Sequence, residues 1–128
     1  MACPWERNAA AAARATVAAL NYAVSLTHLQ RFEEAKALLR KTVPVARRVL
    51  GEGSDLTLSL RANYAVVLYE APAATLDDLR KAVSTLEDTE RIARRVLGSA
   101  HPIALKIERN LQNARAALRA RETPPPQA

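Results

Sequence analysis

Apolar side chains recur at three- and four-residue steps along nearly the whole chain, the period of helices with one buried face. Val17, Leu20 and Val24, with Tyr22, Leu26 and Leu29, mark a first helix over about 8–29. Gln30 and Arg31 form a tight turn. A second helix over 33–50 carries the stripe Ala35, Leu38, Leu39, Val43, Ala46 and Leu50. Its first turn holds Glu33 and Glu34 and its last turn Arg47 and Arg48, the charges that the helix dipole favours at those ends. Gly51 caps it. A third helix over 55–70, N-capped by Ser54, buries Leu58, Leu60, Tyr64, Ala65 and Leu68. Residues 71–75 break the pattern. A fourth helix over 76–97 uses Leu76, Leu79, Ala82, Val83, Leu86, Ile92 and Val96, and stops at Gly98. Pro102 opens a fifth over 102–121. Ile103, Ile107, Leu111, Ala114 and Leu118 share one of its faces, and Lys106, Arg109, Asn113, Arg115 and Arg119 the other, as suits a last, solvent-covering helix. Residues 1–7 read as an irregular arm and 122–128 as a disordered, proline-rich tail.

One phrase occurs twice. Arg47-Arg48-Val49-Leu50-Gly51 leads to Leu58 and Asn63, and Arg94-Arg95-Val96-Leu97-Gly98 leads to Leu105 and Asn110 at the same spacing. Two matches at one fixed offset mean a stack of repeats. The fold class is therefore all-α, built of antiparallel helical hairpins.

Composition narrows the function. Aromatics are only 4% of the chain, so Leu, Val and Ala must fill the core. The net charge of +6 favours acidic partners mildly, but the basic residues are spread among acids at helical spacing, as on a solvated surface. The single cysteine, Cys3, fits a reducing compartment. The alanine run at 9–13 is too weakly apolar for a secretory signal, and no stretch approaches a membrane span of about 20 apolar residues. A cytoplasmic protein without membrane partners is expected. One cysteine and two histidines build no metal site, three glycines scarcely build a phosphate loop, and no nucleophile–base pairing is suggested, so neither cofactor nor enzymatic activity is expected.

Five helices in the order A-B-A-B-A, with Leu-Gly at each B-to-A corner, resemble tetratricopeptide repeats. More closely they resemble the long repeats of kinesin light chains. Asn21 and Asn63 are 42 residues apart, the period of that family. Asn63 and Asn110 are 47 apart, and the excess of five equals the length of segment 71–75. The corner from Gly98 through His101-Pro102 to Leu105 resembles the Leu-Gly-x-x-His-Pro-x-x-Leu corner of the family. Arg31-Phe32-Glu33-Glu34-Ala35 resembles the start of a B helix. The chain departs from the pattern at Gln30, where glycine is usual, at Ser54-Asp55, which replace His-Pro, and at Leu79, where an aromatic is usual. The resemblance covers roughly residues 13–121 and implies a right-handed superhelix of two full hairpins and a capping helix.

It also implies a peptide site on the concave face of the A helices. Asn21, Asn63 and Asn110 hold equivalent positions there, and an amide can donate to a peptide carbonyl while accepting from its N–H. The alternative is that these amides bond within the stack. Val24, His28, Val66, Glu70, Lys106 and Asn113 flank them as further peptide-binding candidates. A clamp for C-terminal carboxylates is disfavoured, because Val17 stands where the family places a lysine and Asn110 where it places an arginine. His101 is read as structural. A protein or peptide partner, with acidic ones mildly favoured, is the leading expectation. Two rivals remain. Arg47, Arg48, Arg94 and Arg95 recur at one repeat position and are a candidate nucleic-acid edge, disfavoured by the scarcity of aromatics for stacking. The other is that the chain is part of a longer array that self-associates through the N-terminal end of the stack.

Overall fold

The computed structural model describes residues 8–123. They form five α-helices and, among the described residues, no strand: α1 (Ala9–His28), α2 (Phe32–Val49), α3 (Asp55–Glu70), α4 (Leu76–Val96) and α5 (Pro102–Glu122). The arm at 1–7 and the prolines of the tail lie outside the described residues. Glu122, expected in the tail, is the last residue of α5. Helices adjacent in sequence pack together. The first, third and fifth also touch in series, so α3 contacts all four others and forms the centre of the stack.

The two B-to-A corners have the same construction. Gly51 and Gly98 take φ of +96° and +97°. Three residues later Ser54 and His101 start the next helix with nearly identical extended dihedrals. Nothing lies within 4 Å of a Cβ at either glycine, so backbone conformation rather than space requires glycine there. The helix starts are capped differently. His101 accepts the Ile103 N–H through Nδ1 at 3.1 Å. Ser54 makes no side-chain cap bond, and the Asp55 carboxylate takes the Leu56 N–H instead. The hairpin turn after α1 is a Schellman closure, in which the Arg31 N–H donates to the Leu26 carbonyl and that of Gln30 to Thr27. Gln30 sits at φ +61°, so the position where glycine was missing from the repeat pattern is indeed left-handed.

Helices α2 and α4 bury the same ladder 47 residues apart. Ala35, Leu39, Thr42 and Ala46 correspond to Ala82, Leu86, Thr89 and Ala93, all buried. Each threonine returns its hydroxyl to the carbonyl four residues earlier, which lets a polar side chain be buried without an orphaned donor. The five-residue excess of the second repeat is shared. The linker 71–75 is only two residues longer than 29–31, and α4 begins three residues ahead of the position equivalent to Phe32. The extra turn is fixed by a capping box: Thr75 Oγ1 accepts the Asp78 N–H, and the Asp78 carboxylate accepts that of Thr75. Nor is the linker a free surface loop. Ala74 is buried, and its carbonyl accepts from Arg121 Nη1 of α5 at 2.8 Å.

Several expected core positions are exposed. Val17, Tyr22 and Leu29 lie open because no helix precedes α1 in the described stack. Val96 is half exposed because it covers a corner rather than a helix: a Cβ on Gly53 would meet its Cγ2 at 3.2 Å. Leu38, Val43, Leu50, Val83, Ile92 and Ile103 are partly buried and pack around the fully buried core.

Periodicity did not reveal Arg61. Its side chain is 8% exposed in the middle of α3, facing Glu52 of the first corner at 3.5 Å and Asp88 of α4 at 3.3 Å. Glu52 also binds Arg47, and Asp88 binds Arg91 at 2.8 Å. Hydrogen bonds from Arg61 and then Arg91 hold the Asp88 carboxyl below its ordinary pKa.

Gln30→Gly should raise unfolding stability by about 0.5–1 kcal/mol, since the left-handed strain relieved exceeds the added unfolded-state entropy. Gly51→Ala should lower it by about 1 kcal/mol, both read by urea denaturation. The depressed Asp88 pKa adds stability that is present above the ordinary carboxylate range and is lost as pH falls through the folded value. Asp88→Asn should therefore cost about 1 kcal/mol at neutral pH, held to that by the half exposure of Asp88 and the remaining Glu52 partner. Its stability should also decline less than that of the parent between about pH 5 and pH 2.

Candidate functional site

The first, third and fifth helices enclose a groove of about 260 Å³ lined by Val24, Thr27, His28, Asn63, Val66, Glu70, Lys106 and Asn110. Each helix contributes residues at three- and four-residue steps, so the lining is one strip of each helix surface. Seven of the nine candidate residues named from the sequence lie together here. Asn21 and Asn113 do not. Asn21 is exposed on α1 beyond the groove wall. Asn113 hydrogen-bonds the Tyr69 hydroxyl, whose pKa is raised chiefly by burial. Thr27, which periodicity did not single out, completes the wall. It stands three residues after Val24, and its hydroxyl is turned inward to the Ala23 carbonyl at 2.8 Å.

The three asparagines at one repeat position are not equivalent in the structure. Asn63 Nδ2 donates to the Ser59 carbonyl of its own helix at 2.9 Å, which leaves its oxygen as the group free to accept. Asn110 Nδ2 is buried and has no acceptor. A buried donor without a partner costs about 1–3 kcal/mol, a cost that a ligand carbonyl would recover once the amide turns into the groove. The site thus offers one acceptor on α3 and one donor on α5. Val24 and Val66 form an apolar strip beside them, and Glu70 and Lys106 add one charge of each sign. The positive charge of the chain is not concentrated in the groove.

The basic positions lie elsewhere and differ between repeats. Arg47 is engaged by Glu52. Arg94 and Arg95 line a shallow cavity of about 690 Å³ with Arg91, Arg115, Glu87, Glu90 and Leu111. Within it Arg115 binds Glu87 at 2.9 Å. Four arginines and two glutamates make a mixed surface rather than a uniform basic ridge. Among the described residues there is no group of three or more His, Cys, Asp or Glu side chains able to hold a metal ion, and no helix is long and apolar enough to cross a membrane.

Residues 12–71, from α1 to the end of the first A-B-A unit, match the family model for the tetratricopeptide repeat. The match spans just under half of the chain, and together with the five stacked helices it supports an all-α, tetratricopeptide-like helical repeat fold. Repeats of this class generally serve as scaffolds for protein–protein interaction and are typically non-catalytic. No curated protein and no solved structure gives a match.

Proposed function

We propose that the chain is a non-catalytic scaffold that binds an extended peptide segment of a partner in the groove between α1, α3 and α5. The observation that carries this reading is the unpartnered, buried Asn110 Nδ2 on a groove that also offers an apolar strip and one charge of each sign. A peptide carbonyl would take the Asn110 donor, and a peptide N–H would donate to the Asn63 oxygen. An apolar side chain would rest on Val24 and Val66. Glu70 and Lys106 favour a mixed-charge ligand at this site, and a general preference for acidic partners would come from the net charge outside it. Asn21 and Asn113 stand outside the contact set. The 42-residue step from Asn21 to Asn63 and the His101-Pro102 corner support the kinesin light chain-like type of repeat. A cytoplasmic location fits the lone Cys3.

Nucleic-acid binding through Arg47, Arg48, Arg94 and Arg95 is the second reading. It is less supported, because Arg47 is ion-paired and Glu87 and Glu90 interrupt the surface around Arg94 and Arg95.

A random peptide library selected against the chain, with winners retested on two variants, separates these readings. Asn110→Ala should weaken a selected peptide by about tenfold, the worth of one hydrogen bond to a buried donor. The same variant should leave the unliganded protein equally stable or up to about 1 kcal/mol more stable, because it removes an unpaired group. Arg94→Ala with Arg95→Ala should leave peptide affinity unchanged. Peptides that bind the Asn110 variant as tightly as the parent would overturn the groove reading. Binding lost only in the double arginine variant, with a steep salt dependence, would favour the second.

A further inference from the structure

The two ends of the stack are finished in different ways. On α3, the face turned to its neighbours buries Thr57, Leu58, Leu60, Arg61, Ala62, Tyr64, Ala65, Val67 and Leu68. Moved 47 residues on, to α5, several of these positions become Glu108, Arg109, Gln112 and Arg115, all exposed. The far side of the stack is therefore closed by charge. Moved 42 residues back, to α1, the positions of Thr57, Leu60, Tyr64 and Val67 become Ala15, Ala18, Tyr22 and Ser25. That face keeps an uncharged, helix-accepting character, yet Tyr22 is 57% and Leu29 67% exposed.

The exposed Ala18, Tyr22, Ser25 and Leu29 continue through the partly buried Ala11 and Ala15 as one seam. Ala11, Ala15, Ala18, Tyr22, Ser25 and Leu29 follow one another at steps of four and three, the spacing of a helix that packs along another helix. The seam carries no charged side chain. It is also complementary to itself when reversed. In an antiparallel copy centred between Ala18 and Tyr22, Tyr22 faces Ala18, Ser25 faces Ala15 and Leu29 faces Ala11, so that each larger side chain meets a smaller one. Arg14, the one Lys or Arg on α1, then falls opposite the position of Leu26 rather than opposite another arginine. The charged α5 face offers no such match, which disfavours head-to-tail growth.

We propose that α1 pairs with α1 of a second copy of this chain, antiparallel and about a two-fold axis, to form a closed head-to-head dimer. The interface is isologous, so the same six residues serve both protomers and assembly stops at two. It is independent of the peptide groove, whose α1 residues Val24, Thr27 and His28 lie on another strip of the helix.

Sedimentation velocity on the full 14.0 kDa chain over a hundredfold concentration range tests this. The parent should shift from monomer to dimer as concentration rises, and Ala18→Glu should raise the dissociation constant at least tenfold with its helical circular dichroism unchanged. A Cys3→Ser background fixes the register. Chains with Ala15→Cys mixed with chains carrying Ser25→Cys should cross-link to each other in preference to themselves. A parent that stays monomeric throughout overturns the proposal. So do a variant that dimerises as well as the parent, cross-links without preference, and species that keep growing beyond a dimer.

Discussion

The stack depends on how closely its helices can approach, and that is set by alanine. Ala23 on α1, Ala35 and Ala46 on α2, Ala62 and Ala65 on α3, Ala82 and Ala93 on α4, and Ala104 and Ala114 on α5 are all essentially inaccessible. A small side chain at a crossing point lets the larger ones beside it interdigitate. Leu39, Leu58, Leu60, Leu79, Leu86 and Ile107 fill the spaces so created and are fully buried. Side chains much larger than alanine at these crossings would hold the helices apart and open voids around the leucines, at the cost of dispersion contacts that a chain this poor in aromatics cannot replace. The groove is a by-product of the same spacing. Where the first, third and fifth helices meet edge to edge rather than face to face, the strip between them stays open.

What was legible in the chain is what repeats locally. The order of five helices, the all-α repeat class and the glycine corners each follow from residues within one helical turn or one repeat step. Gln30 shows the strength of such a signal: a departure from the pattern still marked a left-handed residue. What was hidden involves partners far apart in sequence. Arg61 meets residues 9 and 27 positions away, and Arg121 reaches 47 positions back to Ala74. No periodicity encodes such pairings. The asparagines were hidden for another reason. Position in the repeat brings Asn63 and Asn110 to the groove, but whether an amide is spent on its own helix or left unpaired depends on rotamer and on the next helix. The extra five residues were legible in number but not in form, because length alone does not distinguish a longer loop from an added helical turn fixed by Thr75 and Asp78.

Charge in this protein does two separate jobs. Within the stack, a short chain of alternating signs from Arg47 through Glu52, Arg61 and Asp88 to Arg91 joins the first corner to α3 and α4. A buried guanidinium is tolerated because carboxylates reach it from two elements while staying half in water themselves. Outside the stack, the surplus basic residues of α5 cover an end that would otherwise be apolar. The net charge of +6 comes as much from α2 as from α5, since each carries five basic and two acidic residues, and it is a poor guide to what the groove accepts.

The bond from Arg121 to the Ala74 carbonyl changes the meaning of the chain's final helical turn. Helix ends ordinarily fray at little cost. Here, when the last turn of α5 unwinds, the buried Ala74 of the linker loses the Arg121 donor at its carbonyl, and the start of α4 loosens with it. Arg80 of α4 reinforces the tie through Glu122 at 3.6 Å. The last turn of α5 therefore works as a latch on the α3–α4 linker, so that order at one is tied to order at the other.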